Sequence, residues 1–286
     1  MTQKTVLITG CSSGIGLETA VACAKAGHRV FATMRNLNKK EKLEKRKQDE
    51  KLEDMEIIRL NVNDNTSIRH TIASIVRKID NIDVVFNNAG YMKVGSLEDL
   101  TLKEIQMQLN TDLMGPIHLS KLAIPHMQNG DGPGLILNMS SVAGRIGFNL
   151  SSPYCISKFG IEGFSESLRR ELLGSGINVN VALIEAGIVH TDFFINITQT
   201  AASKISNYAA QTELMMNAIE NIKKETNWTQ PEQVAKQVLD IINENGKNFR
   251  YVIGNDAEFL IDSFFSYQGD QNKMDKAIEK IMKKYG

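Results

Sequence analysis

The sequence is poor in features that several classes of protein require. It has only three cysteines, Cys11, Cys23 and Cys155, and their odd number and wide spacing exclude a disulfide framework and a cysteine-based zinc site. Its 33 basic residues are balanced by 33 acidic ones, so no excess charge indicates a nucleic-acid partner. No apolar run approaches the roughly 18 residues that a membrane-spanning helix needs, and the five histidines lack the spacing of metal ligands. We therefore expect a cytoplasmic protein that binds no nucleic acid, has no membrane span and holds no metal.

What the sequence does contain is a regular alternation of short apolar runs and helix-length segments. The runs that read as buried strands are residues 5–9, 29–33, 55–60, 83–87, 135–140, 178–184 and 250–253. Strands that alternate with helices form βαβ units, and right-handed crossovers then give a parallel sheet covered on both faces. Because no linker or repeat interrupts the pattern, we predict one α/β domain over residues 1–286, with a doubly wound, seven-stranded parallel sheet.

A glycine-rich turn follows the first strand. Thr5-Val-Leu-Ile-Thr9 continues into Gly10-Cys-Ser-Ser-Gly14-Ile-Gly16 and then into a helical pattern. Glycine lets the backbone turn tightly and approach a ligand, and a helix N-terminus favours phosphate. The spacing differs from the G-x-G-x-x-G of many dinucleotide-binding units, and a turn that merely packs tightly is the alternative. The residues predicted to bind the phosphates of a nucleotide are Gly10, Ser12, Ser13, Gly14, Ile15 and Gly16.

Another strand ends in a pair of asparagines. The run from Asp83 to Asn87 continues into Asn88-Ala89-Gly90. Asparagine amides can hold the backbone of a neighbouring strand end, and the small pair leaves space beside it. Taken alone, this segment is more typical of an ordinary turn.

Three polar residues form a possible proton-transfer set. Ser141 follows a strand, Tyr154 comes thirteen residues later, and Lys158 four residues after that. On a helix, side chains four apart share a face, so the Lys158 ammonium would lie near the Tyr154 phenol and lower its pKa from about 10. Such a tyrosine exchanges a proton near neutral pH. The alternative is a surface tyrosine that opens a helix, because this spacing also arises by chance.

Together these motifs resemble those of the short-chain dehydrogenase/reductase family. The matching motifs, in the family's order and spacing, are Thr9-Gly-x-x-x-Gly-Ile-Gly16, Asn87-Asn-Ala-Gly90, Asn110, Ser141 and Tyr154-x-x-x-Lys158. The likeness is close over residues 4–195 and looser beyond. It implies a Rossmann fold and hydride transfer between a nicotinamide and a carbonyl or alcohol carbon. It also implies cofactor contacts by Asn88, Ala89 and Gly90.

The resemblance gives each polar residue a role. Tyr154 would be the general acid in reduction and the general base in oxidation. Ser141 would orient the substrate oxygen, and Lys158 would lower the pKa of the tyrosine and bind the nicotinamide ribose. Ser140 competes with Ser141, but alternation along a strand points the two side chains to opposite sides.

The segment 102–127 reads as one long helix that Gly115-Pro116 interrupts, because proline has no N–H and kinks a helix. An apolar ladder runs along one face through Ile105, Leu109, Leu113 and Ile117. The resemblance implies that the carbonyl of Asn110 holds a water that contacts Lys158 and links it to solvent. The alternative is an asparagine that points at water.

The end of the second strand predicts the choice of cofactor. An acidic residue there would bind the 2′-hydroxyl of NAD, but the chain has Met34 and then Arg35. A guanidinium makes bidentate contacts to phosphate, and Lys39 and Lys40 add positive charge. We predict NADP(H); the alternative is a solvated arginine.

Two further segments depart from the family's usual pattern. Asn61-Val62 stands where Asp-Val is usual beside the adenine, and Ala186-Gly187 stands where Pro-Gly is usual beside the nicotinamide. The resemblance still implies cofactor contacts there. The residues concerned are Asn61, Val62, Gly187, Ile188 and Thr191.

The remainder of the chain bears on the substrate. Residues 192–230 correspond to the family's variable lid, and 255–286 form a C-terminal extension. The lid is rich in apolar side chains, which favours an apolar substrate, although simple packing explains them equally well. The motifs look most like those of the 17β-hydroxysteroid and retinol dehydrogenase branch. A non-catalytic NADPH-binding regulator is the alternative function, and the resemblance implies a homodimer or homotetramer formed through residues 103–127 and 154–173.

Overall fold

A computed structural model describes residues 2–128, 130, 132–204, 206–224, 227–266, 270 and 272–276. The strands are β1 (Thr5–Ile8), β2 (Arg29–Met34), β3 (Met55–Arg59), β4 (Val84–Asn87), β5 (Lys93–Val94), β6 (Gly134–Met139), β7 (Val179–Ala186), β8 (Thr198–Gln199) and β9 (Arg250–Ile253). The α-helices are α1 (Gly14–Lys25), α2 (Glu41–Asp49), α3 (Asn65–Ile79), α4 (Leu102–Leu109), α5 (Gly115–Ala123), α6 (Ser152–Gly174), α7 (Asp192–Ile195), α8 (Ala209–Lys224), α9 (Pro231–Asn243) and α10 (Asn255–Ser266).

Seven strands form one parallel sheet in the order β3-β2-β1-β4-β6-β7-β9. The predicted doubly wound, seven-stranded α/β fold is therefore confirmed, and each predicted strand lies within two residues of its observed ends. The chain runs outward from β1 to β3 and then returns to β4, which pairs with the other side of β1. This reversal opens a crevice between the carboxyl ends of β1 and β4, where doubly wound folds bind their ligands.

Successive side chains of the buried strands point to opposite faces of the sheet. Val6 and Ile8 pack in the core beneath α1 and α9, whereas Leu7 packs in the core beneath α3, α5 and α6. The continuous apolar runs follow from this burial on both sides.

Helix α2 lies on the surface, within the charged segment 39–54. In α2 only Leu43 is buried. Pairs four residues apart, such as Lys45 and Asp49, form salt bridges along its exposed face. Such surface pairs contribute little to stability.

The predicted helix over 102–127 is interrupted, and the interruption begins earlier than expected. Helix α4 ends at Leu109, residues 110–114 form a π-type turn in which the N–H of Gly115 bonds to the carbonyl of Asn110, and Pro116 then stands in the first turn of α5. The π turn directly precedes the turn that contains Pro116, which has no N–H to donate to the helix. The apolar ladder is only half-buried. The buried face carries Gln108 and Asp112 instead.

Within the described part of the chain, no helix combines the length and the apolar character needed to cross a bilayer.

Candidate active site

The glycine-rich turn lies between the end of β1 and the start of α1 and needs glycine at two positions. Gly10 has a φ of +76°, and a Cβ there would lie 2.8 Å from the Cα of Ala89. A Cβ on Gly16 would lie 2.5 Å from both the amide nitrogen of Asn88 and the carbonyl oxygen of Gly10. Ser13 precedes α1 without capping it through its side chain. Within the described part of the chain, the side chain of Ser13 occupies none of the first N–H groups of α1, and these groups can bind an anion.

The asparagine segment after β4 is tied to the end of β1. The Thr9 hydroxyl accepts the N–H groups of Asn88 and Ala89, both at 3.0 Å, and the Asn88 amide donates to the Thr9 carbonyl at 2.8 Å. The preceding Asn87 is buried and donates to Asn138 in β6 at 2.7 Å. These bonds fix the two strand ends that flank the crevice.

Ser141 follows β6 and points into the same crevice. Its backbone is extended, and its hydroxyl accepts the N–H of Ala143 at 3.2 Å. A hydrogen bond from the Ser141 side chain also lowers the pKa of Tyr154. Ser140 is buried on the other side, against Glu162 and Gly144. The predicted alternation therefore directs Ser141 to the crevice and Ser140 away from it.

Tyr154 and Lys158 lie one turn apart in the first half of α6. The Lys158 ammonium lies 5.5 Å from the centroid of the Tyr154 ring, and it donates to the carbonyl of Met139 at 2.9 Å. The two side chains share a face of the helix, as the spacing predicted.

The net pKa of Tyr154 in this arrangement is raised, not lowered below its usual value as the sequence predicted. Burial raises the pKa of Tyr154 well above its usual value, and the negative charge of Asp112 raises it further, while Ser141 opposes the shift. Burial also lowers the pKa of Lys158. Desolvation penalises the charged forms of both side chains. The sequence spacing indicated that a cation lies near Tyr154, but it did not indicate that both side chains are buried.

The structure does not bring the side chain of Asn110 to this pair. Its amide oxygen accepts a bond from Gln106 at 2.8 Å on the exposed side of the helix, and its carbonyl accepts the N–H of Gly115. Asn110 is the first residue of the π turn over 110–114. The water-mediated relay through its carbonyl stays a prediction.

Asp112, two residues further along, occupies the position beside the lysine. Its carboxylate Oδ2 lies 3.8 Å from Nζ of Lys158, and both side chains are buried. Its Oδ1 accepts the N–H of Tyr91 at 3.3 Å. Sequence reasoning missed this residue because a polar side chain in a helix ordinarily reads as solvated.

The residues predicted to contact the adenosine half lie where β2 and β3 end. Arg35 is exposed directly after β2, and within the described part of the chain its guanidinium forms no ion pair. Asn61 and Val62 follow β3 and are half-buried. Val62 packs closely on Gly115, because a Cβ built on Gly115 would lie 2.9 Å from the Cβ of Val62.

The loop after β7 is held by a residue far away in sequence. The carboxylate of Asp256 accepts the N–H of Ile188 at 2.7 Å, and a Cβ on Gly187 would lie 2.3 Å from the same carboxylate. Ile188 was predicted to contact the cofactor through its main chain, and its N–H already has this partner. Thr191 caps α7 by accepting the N–H of Phe193 at 3.2 Å, and its side chain packs on Gly14.

The segment predicted as a lid lies over the crevice. Within it, Phe193 contacts Tyr154, with ring centroids 6.0 Å apart. Several of its apolar side chains join Val94 and Leu150 in a separate small core. Others, including Ile195 and Leu214, are exposed. Residues 205, 225 and 226 of the predicted lid, and 267–269, 271 and 277–286 of the predicted extension, lie outside the described residues.

Comparison with known proteins decides the family. A sequence model described as short chain dehydrogenase matches residues 4–202. The chain belongs to the short-chain dehydrogenase family. This dehydrogenase is 34% identical over 257 residues to the oxidoreductase YusZ of Bacillus subtilis, covering 89% of this chain and 90% of that protein. It is 30% identical to a 3-ketodihydrosphingosine reductase of Bacteroides thetaiotaomicron, covering 89% of each chain.

Retinol dehydrogenases are also among the relatives of this dehydrogenase. It is 40% identical to human retinol dehydrogenase 8 over 193 residues, which cover 66% of this chain and 60% of that protein. A solved short-chain dehydrogenase of Streptomyces avermitilis has 26% identity and a TM-score of 0.80, covering 98% of this chain and 99% of the other. A Burkholderia phymatum structure in complex with NAD has 18% identity and a TM-score of 0.74, covering 87% and 88% of the two chains, and this likeness shows the fold alone.

The site of this dehydrogenase fits the nicotinamide cofactor that its family uses. The N–H groups at the start of α1 suit the pyrophosphate. Beside these N–H groups, the backbone at Gly10 and Gly16 packs directly against Asn88 and Ala89, with no side chain between them. The polar set of Ser141, Tyr154 and Lys158 lies across the crevice, where a reactive ring would meet a substrate.

Proposed function

We propose that this chain is an NADP(H)-dependent oxidoreductase that interconverts a carbonyl group and a primary or secondary alcohol. The observation that carries the proposal is the convergence of Ser141, Tyr154 and Lys158, from the end of β6 and from α6, beside the glycine-rich turn, which lies far from them in sequence. Bound NADP(H) supplies or accepts the hydride; the protein supplies the proton and orients the carbonyl.

Each of the three side chains then has one task. The Ser141 hydroxyl donates to the substrate oxygen and aligns it with the Tyr154 phenol. Tyr154 gives its proton to that oxygen during reduction and takes it back during oxidation. The Lys158 ammonium stabilises the tyrosinate that reduction leaves behind. Asn110 remains a candidate relay through its carbonyl.

The preference for NADP(H) rests on Arg35. An exposed guanidinium at the end of β2, next to the uncharged Met34 and followed by Lys39 and Lys40, suits a 2′-phosphate and offers no acceptor for a 2′-hydroxyl. The other proposed cofactor contacts are Gly10, Ser12, Ser13, Gly14, Ile15, Gly16, Asn61, Val62, Asn88, Ala89, Gly90, Tyr154, Lys158, Gly187, Ile188 and Thr191.

An apolar substrate is supported by the lid, residues 192–230. Phe193 lies against Tyr154, and Phe194 and Met216 are partly buried beside it. Methionine and aromatic side chains accommodate bulky apolar groups. Two relatives carry the names 3-ketodihydrosphingosine reductase and retinol dehydrogenase 8, which refer to long apolar molecules with a single reacting oxygen.

A homodimer or homotetramer is supported by apolar side chains on neighbouring helices. Met107 on α4 and Met114 in the π turn are exposed, as are Ile156 and Phe159 on α6. Exposed apolar side chains grouped on one surface favour association with a second copy.

The test is cofactor oxidation by the purified protein. NADPH and NADH are offered with retinal, a 3-keto sphingoid base, a steroid ketone and a short ketone. We expect NADPH-dependent reduction that is fastest with the long apolar substrates. NADPH binding without turnover of any substrate would instead favour a non-catalytic regulator, and faster reaction with NADH would contradict the role of Arg35.

A further inference from the structure

A buried carboxylate faces the proposed proton donor and its lysine. Asp112 Oδ2 lies 3.8 Å from Nζ of Lys158, and this Oδ2 has no hydrogen-bond partner among the residues that the structure describes. Buried carboxylate oxygens are ordinarily paired. Because this oxygen faces the buried Lys158 ammonium without a hydrogen bond from a described residue, we expect Asp112 to act on Lys158 through its negative charge and not by stabilising the fold.

The fold builds a specific place for this carboxylate. The π turn at residues 110–114 carries Asp112 on the buried side of the interrupted helix. A Cβ on Gly90 would lie 3.1 Å from Oδ2, so the small residue at the end of the Asn88–Gly90 segment leaves the room that the carboxylate occupies. π turns concentrate at functional sites.

The polar groups around Asp112, titratable or not, come from three elements. Helix α6 contributes Lys158, Tyr154 and, one turn beyond the lysine, Glu162; the segment after β4 contributes Tyr91. Helix α4 contributes the uncharged amide of Gln108. Lys158 is the cation of this group, and its ammonium lies within salt-bridge distance of Asp112.

The charge of Asp112 acts on both partners of the proposed pair. Burial lowers the pKa of Lys158, and the negative charges of Asp112 and Glu162 raise it again. Burial raises the pKa of Tyr154, and Asp112 raises it further. Burial in turn raises the pKa of Asp112 to about 7, opposed by Lys158, the Tyr91 N–H and Gln108.

We propose that Asp112 is a positioning residue that orients the Lys158 ammonium through their ion pair and sets the pH range over which Tyr154 exchanges its proton. This inference rests on the proposed function, because it assigns Asp112 to the same reaction. Asp112 itself touches neither the substrate nor the cofactor in this account.

The test is the pH profile of Asp112→Asn, which keeps the shape of the side chain and removes its charge. Without that charge, Tyr154 loses its proton at lower pH. The rate of oxidation, which needs Tyr154 as a base, should therefore rise at neutral pH. The rate of reduction needs a protonated Tyr154, so it should begin to fall at a lower pH than in the wild type. We expect the ratio of oxidation rates at neutral pH and about pH 9 to rise about tenfold. A loss of rate that is equal at every pH would mean a merely structural role and would overturn the proposal.

The matched control is Asp54→Asn, which removes one exposed negative charge directly before the edge strand β3. It should leave both profiles unchanged. If Asp112→Asn yields no folded protein, Asp112→Ser removes the charge with a smaller side chain. The pH profile of that variant then tests the role of Asp112 in the same way.

A second readout does not depend on turnover. The phenolate absorbance of Tyr154, taken as the difference between each protein and its Tyr154→Phe version, reports the titration directly. In Asp112→Asn this titration should move to lower pH. An unmoved midpoint would overturn the role of Asp112, whereas a moved midpoint in a protein that turns over no substrate would leave Asp112 coupled to Tyr154 and reject only the proposed function.

Discussion

The ring of Phe193, in α7, lies 6.0 Å from the ring of Tyr154, in α6, at an interplanar angle of 52°. A side chain from the variable segment thus touches the proposed proton donor. Phe193 also makes an edge contact with Phe194, at 5.6 Å. Phe193 therefore lines the crevice beside the proposed proton donor, where the proposed apolar substrate would lie.

Truncation of Phe193 should weaken substrate binding without affecting the cofactor. We expect Phe193→Ala to raise the KM for a long apolar ketone by about 2- to 10-fold, the loss expected for one aromatic contact, with the KM for NADPH unchanged. Phe193→Leu keeps an apolar side chain and should retain most of the affinity. Steady-state kinetics, with the ketone and NADPH varied in turn, measures the two KM values. Equal changes for substrate and NADPH would contradict a substrate contact by Phe193.

The second prediction concerns Thr9, which joins the two strand ends at the crevice. Its buried hydroxyl accepts two backbone N–H groups, and Thr9→Val would leave both without that partner. We expect a loss of about 1–3 kcal/mol in the free energy of unfolding together with weaker NADPH binding, measured by urea denaturation and fluorescence titration.

Thr33→Val is the matched control for Thr9→Val. Thr33 is equally buried, in β2, and its hydroxyl has no hydrogen-bond partner among the described residues. The same substitution there should be neutral or stabilising. If both variants lost the same stability, the hydrogen bonds of Thr9 would not be the cause.

The third prediction concerns the cofactor preference. Arg35→Asp replaces a donor for the 2′-phosphate by an acceptor for the 2′-hydroxyl and repels phosphate. We expect the ratio of kcat/KM for NADPH to that for NADH to fall by about 10- to 100-fold, since hydrogen bonds to a charged group contribute about 1.5–3 kcal/mol. Arg77→Asp makes the same change of charge at the end of α3 and should leave the ratio unchanged. An unchanged ratio in Arg35→Asp would reject the assignment of NADP(H).

Much of the fold could be predicted from the sequence because its signals are local. Buried parallel strands need apolar residues on both faces, so runs such as Val84–Asn87 are visible without any knowledge of their neighbours. Glycines at Gly10 and Gly16 mark close backbone approaches in the same direct way.

The electrostatics of the site could not be predicted in this way. The sign of the shift in the pKa of Tyr154 depends on burial and on Asp112, which lies 42 positions earlier in the numbering and reads as a polar helix residue. Asp256 holds the Ile188 loop from 68 residues away. The π turn changes which residue of the helix meets Lys158, and a regular helical period cannot foresee an inserted residue.

The turnover of Tyr154→Phe, with NADPH binding measured in the same preparation, shows whether Tyr154 is the proton donor. We expect that NADPH binds as in the wild type and that carbonyl reduction falls at least about 100-fold, the range attributed to a positioned general acid. Tyr251→Phe, which removes a phenol that accepts the N–H of Asn248 at 2.8 Å, should react at the wild-type rate. Full activity in Tyr154→Phe would contradict the account.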